Sequence, residues 1–205
     1  MMLQYLTASF SSSTASVRLA GLGLSAVSRK HGESTDEDKL RQAYLGIVLG
    51  YPDLIADDSG KELCNELDRA RMLVYRGVAF AATEANEKAA ITFELAEKEL
   101  GAMVESKNDE HNQLALTSQA AALHNLGCLH LNESRSENGS HSADDAMSTW
   151  KVALNVATNK SGGDSLKRCE ADILCSLGGL HTELGDPQEG IVCLSKAVGV
   201  LGDIQ

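Results

Sequence analysis

Apolar residues recur at steps of three and four along most of the chain, with polar residues between them. This spacing keeps apolar side chains on one face of a helix, so it predicts α-helices rather than strands. The predicted helices cover residues 62–83, 86–106, 111–132, 143–159, 165–184 and 187–202. A further helix is predicted at 36–50, because Leu40, Tyr44 and Ile47 share one side and Pro52 follows its end.

Three segments of the chain share one spacing of small and bulky residues. In the first and third, the intervals are four, three, nine, four and three residues; the second has seven extra residues in the middle. The matching positions are Leu73, Gly77, Phe80, Ala89, Phe93 and Ala96; Leu123, Gly127, His130, Ala146, Trp150 and Ala153; and Leu174, Gly178, His181, Gly190, Leu194 and Ala197. Each segment therefore predicts two paired helices, in which a small residue allows close approach and a bulky residue fills the space beside it.

The connection between the two halves of the third segment carries turn residues at suitable positions. Gly185 suits the end of a helix, Asp186 suits the N-cap of the next, and Pro187 fits its first turn. The third segment therefore predicts a helix–turn–helix unit.

The three segments resemble the tetratricopeptide repeat (TPR), a helix pair of about 34 residues. Leu126-Gly127, Leu177-Gly178 and the run from Trp150 to Leu154 match its pattern, whereas Arg76 and Gly190 depart from it mildly. The resemblance covers about residues 62–202, with a longer pitch of 50 and 51 residues between the glycines at 77, 127 and 178. It implies an all-α fold, a right-handed superhelical solenoid of about three TPR-like helix–turn–helix repeats that binds other proteins.

In the family that the chain resembles, ligands lie on the concave surface formed by the first helix of each pair. The positions that this resemblance places there are Arg71, Val74, Val78, Ala121, His124, Asn125, Cys128, Asp172, Cys175 and Gly179. Family members that hold acidic chaperone tails need several Lys, Arg and Asn on this face, and here only Asn125 conforms, since most of the matching positions hold Val74, Val78, Asp172 and Ser176. The face as a whole is largely apolar with a few polar points. We therefore expect the groove to take an amphipathic helix or an extended apolar segment of a protein partner.

Composition and charge narrow the class of protein. The chain has 205 residues, 43% of them hydrophobic and 4% aromatic, and a net charge of −11, which disfavours nucleic acid as the main ligand. No run of 18 apolar residues occurs, so no transmembrane helix is expected. Residues 1–32 lack acidic residues and are rich in serine, which predicts a leader for import into an organelle, with the mitochondrion expected. A disordered tail on a cytoplasmic protein is the alternative.

The sequence is accordingly divided into the leader at 1–32, an N-terminal helix and linker at 33–61, and a TPR-like domain at 62–205. We expect a non-catalytic protein–protein interaction scaffold, a subunit or assembly factor of an organellar complex. A cytosolic adaptor or co-chaperone-like TPR protein is the alternative.

Candidate chemistry is sparse. The five cysteines form no C-x-x-C pair, and no nucleotide-binding, hydrolase or zinc-protease motif is present, so no cofactor, metal site or catalytic residue is predicted. His130 and His181 occupy equivalent positions, for which ring packing is a better interpretation than a metal or pH-sensing pair. The competing class is an enzyme using Cys128 or Cys175 with a neighbouring histidine, which requires a thiol of lowered pKa.

The predicted last helix is apolar on nearly all sides. Ile191, Val198 and Leu201 point to where a following helix would lie in a repeat array. We therefore expect this C-terminal surface to dock against a second copy or another subunit. The alternatives are that residues 36–50 fold back and cover this surface, or that the chain is a fragment of a longer repeat array.

Overall fold

The computed structural model describes residues 66–82, 85–104, 109–136, 141–158 and 163–204. These residues form six α-helices and no strand, so the described part of the chain is all-α, as predicted. The helices are α1 (Glu66–Ala82), α2 (Asn86–Met103), α3 (Asp109–Ser134), α4 (Ala143–Ala157), α5 (Asp164–Glu183) and α6 (Pro187–Gly202). The predicted leader at 1–32 and the predicted helix at 36–50 lie outside the described residues.

The turn between α5 and α6 follows the residue chemistry expected from the sequence. Gly185 has φ +87°, a conformation that glycine adopts without a Cβ penalty, and the N–H groups of Gly185 and Asp186 donate to the carbonyls of Thr182 and His181. The Asp186 side chain then accepts from the N–H of Glu189 at 3.3 Å, with Pro187 in the first turn. The predicted helix–turn–helix connection is therefore confirmed.

The start of α4 is fixed by a reciprocal capping box. The N–H of Asp145 donates to Ser142 Oγ at 3.2 Å, and the N–H of Ser142 donates to Asp145 Oδ2 at 2.7 Å. These bonds satisfy donors that would otherwise be unpaired, and they lower the pKa of the Asp145 carboxyl.

Each helix contacts the next along the chain, and the odd-numbered helices α1, α3 and α5 also contact one another in order. Helix α3 lies at the centre of this arrangement, because it is apolar on more than one side. Its residues in the apolar cluster shared with α1 and α2 are Ala115, Ala122, Leu126 and Leu129. Its residues in the cluster shared with α4, α5 and α6 are Leu116, Ala120 and Leu123.

The three helix pairs meet at the glycines that the repeated spacing singled out. A Cβ on Gly77 would lie 2.5 Å from Phe93 Cε1, and one on Gly178 would lie 2.9 Å from Leu194 Cγ. A Cβ on Gly127 would likewise overlap the indole of Trp150. The contact predicted for each segment, a small residue against a bulky one, is therefore present in all three pairs.

None of the helices in the described ranges combines the length and the apolar character needed to cross a membrane.

Candidate partner-binding surface

The ten residues predicted for the concave face divide into buried and accessible positions. Buried positions are Val74, His124 and Asn125. Half-buried positions are Arg71, Val78, Ala121, Cys128 and Asp172. Exposed positions are Cys175 and Gly179. Accessible side chains from two helices are brought together where α3 meets α5.

We call this region the α3–α5 surface: Ala121 and Cys128 of α3 together with Asp172, Cys175 and Gly179 of α5. The α5 residues lie on one side of their helix because they are spaced by three and four. A Cβ on Gly179 would meet no atom within 4 Å, so the space beside it is open. The surface is therefore mostly apolar, with a single carboxyl group.

Three of the predicted residues do not contribute exposed side chains, because they pack between helices instead. Val74 belongs to the apolar cluster of α1, α2 and α3. The Asn125 side-chain amide donates to the Ala121 carbonyl at 2.9 Å, within α3. The His124 imidazole is buried, and its Nε2 lies 2.9 Å from Ser176 Oγ, which joins α3 to α5.

His124 also connects α3 to α4 through its backbone. Its carbonyl accepts a hydrogen bond from Trp150 Nε1 at 3.0 Å, while the Ser176 hydroxyl can donate to the Asp172 carbonyl at 3.2 Å and accept from the imidazole. Burial lowers the pKa of His124 to about 4, so the imidazole is neutral at pH 7. His124 therefore holds three helices together rather than facing a partner.

Arg71 and Val78 contribute from α1, away from this surface. Arg71 forms an ion pair with Asp68 at 3.4 Å on the same helix. Val78 packs against the first apolar cluster. Arg71 and Val78 therefore remain predicted partner contacts on α1, outside the α3–α5 surface.

Asp172 is the charged residue of the α3–α5 surface. No hydrogen bond or ion pair to its side chain occurs among the described residues, and burial raises its pKa to about 6. Its charge acts on the thiols of Cys128, Cys169 and Cys175, because it raises the pKa of each of them. The carboxyl group therefore lies beside thiols rather than beside a cation.

The described thiols do not have the properties of activated nucleophiles. Burial, with the charge of Asp172, raises the pKa of Cys128 and of Cys169 to about 12. The pKa of Cys175 and that of Cys193 are also raised, with burial as the main cause. A nucleophilic cysteine requires the opposite shift.

The equivalent histidines of the repeats do not pair with each other. His130 stacks on His141 instead, with 4.0 Å between ring centroids, and its Nδ1 lies 3.2 Å from Thr149 Oγ1. Burial and the neighbouring His141 lower the pKa of His130. In the part of the chain that the structure describes, no group of three or more histidine, cysteine or acidic side chains could hold a metal ion.

The C-terminal surface is accessible over the length of α6. We call Ile191, Leu194, Val198 and Leu201 the α6 stripe, since their spacing of three, four and three places them on one side. Ile191 is 58% exposed and Val198 is 70% exposed. The adjoining side of α6, with Gly190, Cys193 and Ala197, is buried, and Leu194 at the edge of the stripe also contacts Gly178 of α5.

Comparison of the chain with protein-family models, with curated proteins and with solved structures found no significant match.

Proposed function

We propose that this protein is a non-catalytic interaction scaffold, built as a right-handed solenoid of three TPR-like helix pairs, which binds a protein partner through the α3–α5 surface. The observation that carries the proposal is the glycine contact repeated in three consecutive helix pairs. Repeated packing of this kind, with contacts between α1, α3 and α5, is typical of helical repeat proteins, whose extended surfaces bind other proteins.

The test uses the open space at Gly179. A photo-crosslinking amino acid at position 179 should capture a partner in native cells, whereas the same group at the exposed position 151 on α4 should not. Gly179→Trp should weaken the interaction without unfolding the protein, because no atom lies within 4 Å of the added Cβ. Equal crosslinking from both positions, or a partner indifferent to Gly179→Trp, would contradict the proposal.

The thiol environments support a binding protein over a cysteine-dependent enzyme. Cys128 and Cys175 have raised pKa values beside Asp172, so little reactive thiolate is present at pH 7. A thiol-reactivity profile at neutral pH should show uniformly slow labelling. One hyper-reactive cysteine would favour the enzyme.

We propose that the α6 stripe is a second contact surface, used for self-association or for docking to another subunit. Its exposed apolar side chains form a continuous row on one helix, a feature typical of interfaces. Sedimentation of the wild type should show association that the double variant Ile191→Glu and Leu201→Glu abolishes. If the wild type is a monomer, and the double variant is equally stable and binds its partners equally well, this surface is not an interface.

We further propose that the scaffold serves an organellar complex, with the mitochondrion as the expected compartment and the cytoplasm as the alternative. The acid-free composition of residues 1–32 supports this localisation. Mass spectrometry of the native N-terminus should find the leader removed. A cytosolic protein that begins at Met1 would contradict the proposed import.

A further inference from the structure

Asp172 is partly buried, and no cation contacts its side chain in the described part of the chain. It is half-buried beside Cys128 of the neighbouring helix, and burial alone accounts for the shift in its pKa. A carboxylate that has lost part of its hydration is stabilised by a cation or hydrogen-bond donor, and neither contacts its side chain among the described residues. Within the described residues, this charge is therefore left without a counter-charge.

The position of Asp172 links it to the accessible part of the surface. Cys175 and Gly179 lie on the same side of α5, one and two turns further along, and the space beside Gly179 is open. A bound segment could therefore contact apolar surface at these residues and the carboxylate at the same time.

The described charged groups near the surface form no ion pair with Asp172, and this includes Arg168, which lies one turn earlier on the same side of α5. Arg135 forms an ion pair with Glu183 at the far ends of α3 and α5, and Arg71 is paired with Asp68 on α1. The net charge of −11 also favours approach of a positively charged partner.

We propose that the α3–α5 surface binds an apolar protein segment that carries a lysine or arginine, with its ammonium or guanidinium group against the Asp172 carboxylate. This inference rests on the proposed scaffold function and specifies the chemistry of its partner. The basic side chain supplies the missing counter-charge, while its apolar neighbours cover Cys175 and Gly179. A charge-assisted hydrogen bond in a partly desolvated site contributes both affinity and register.

The proposal predicts a particular pH dependence of binding. A cation stabilises the ionised carboxylate, so affinity should rise as the pH increases through about 6 and Asp172 loses its proton. The titratable groups that face Asp172 are Cys128 from α3 and Cys169 and Cys175 from α5, and their raised pKa values keep them protonated in this range. His124, beyond Ser176, is already neutral above pH 5 because its pKa is about 4.

The test selects ligands without assuming a sequence. The full-length protein and its Asp172→Asn variant are each used to select from a phage-displayed library of random dodecapeptides. Wild-type selections should be enriched in peptides with a lysine or arginine flanked by apolar residues, and Asp172→Asn should lose that enrichment. For a selected basic peptide, Asp172→Asn should weaken binding about tenfold and remove its rise with pH.

A matched control comes from the same helix. Glu170 is also half-buried with a pKa raised by burial, but it lies on the other side of α5, so Glu170→Gln should leave peptide affinity unchanged. Asp172→Asn keeps the size of the side chain and removes an uncompensated charge, and circular dichroism should show it folded.

The outcomes separate this inference from the function on which it rests. Selected peptides that bind at Gly179 but lack basic residues, or that bind Asp172→Asn equally well, would overturn the inference and leave the scaffold function standing. Selections that yield no peptide, or only peptides indifferent to Gly179→Trp, would count against both.

Discussion

The central pair, α3 and α4, and the last pair, α5 and α6, use the same residue spacing with different results. In the central pair, Trp150 packs on Gly127 and is 2% exposed. In the last pair, Leu194 packs on Gly178 but remains 42% exposed. The difference arises because the central pair has α2 and α5 as further neighbours, whereas α6 contacts chiefly α5 among the described helices.

This difference shows that the spacing determines which residues meet within a pair, and the neighbouring helices determine how far they are buried. The central pair adds polar bonds in its interior, from Trp150 and His124. The last pair relies on a second small residue, Gly190, whose carbonyl would lie 3.0 Å from a Cβ on Gly178. The two pairs should therefore respond differently to substitution.

Removal of the indole should have the largest effect. Trp150→Ala should lower the free energy of unfolding by about 3–5 kcal/mol, because it leaves a cavity at a fully covered position and removes the hydrogen bond to the His124 carbonyl. Leu194→Ala should have a clearly smaller effect, since Leu194 is already partly in water. Urea unfolding measures the free energy of unfolding of both variants. Equal losses would contradict the proposed difference between the central and the last pair.

Acid should destabilise the protein through His124. Its pKa is about 4 in the folded protein and about 6.5 when unfolded, so the unfolded state binds more protons between these values. The stability present above pH 6.5 should therefore fall as the pH decreases to 4, by about 3 kcal/mol. Urea unfolding at pH 7 and pH 4.5 measures the loss.

Asp172 provides a control with the opposite sign. Its folded pKa of about 6 lies above the usual carboxyl value, so its protonation favours the folded state as the pH falls through 6. Asp172→Asn should therefore make the acid-induced loss of stability steeper. An unchanged pH dependence in this variant would show that the two groups do not oppose each other.

Overpacking the last pair should have an intermediate effect. Gly178→Leu should cost about 1–3 kcal/mol, because its side chain must displace Leu194 and approach the Gly190 carbonyl. Gly199→Leu, at a glycine of α6 with open space around it, is the control that should change stability little. If both variants melt at the wild-type temperature, the close contact between α5 and α6 is refuted.

The helix caps should give the smallest difference between the pairs. Ser142→Ala removes an N-cap that takes part in a reciprocal capping box, and should cost about 1 kcal/mol. Asp186→Ala removes a cap whose side chain accepts from the N–H of Glu189 at 3.3 Å, without the reciprocal bond of a capping box, and should cost less. Thermal unfolding of both variants at one pH measures this difference. A larger loss of stability in Asp186→Ala than in Ser142→Ala would contradict the prediction.

The helices and their pairing could be predicted because both depend on short, repeated spacings. The predicted bounds of the last helix, 187–202, are those of α6, and α5 is shifted by only one residue at each end. The glycine contacts also follow from spacing, because residues three and four apart share a helix face.

The exposure of the predicted face could not be read from the same spacing. His124 and Asn125 lie in the middle of α3, and both are buried because other helices, among them α1 and α5, pack against α3. His141 was not predicted as the partner of His130, because it follows a segment of the second repeat that has no counterpart in the others. Such contacts depend on tertiary packing.

Trp150 is the only tryptophan of the chain, and its position makes the central pair optically distinguishable. The buried indole donates to the His124 carbonyl at 3.0 Å and is also hydrogen-bonded to the Cys128 thiol, so both of its polar contacts are with α3. Because both of these contacts are with α3, its emission should change when α3 and α4 separate, and fluorescence during urea unfolding would follow that step. The native chain thus carries a built-in reporter for the opening of its central helix pair.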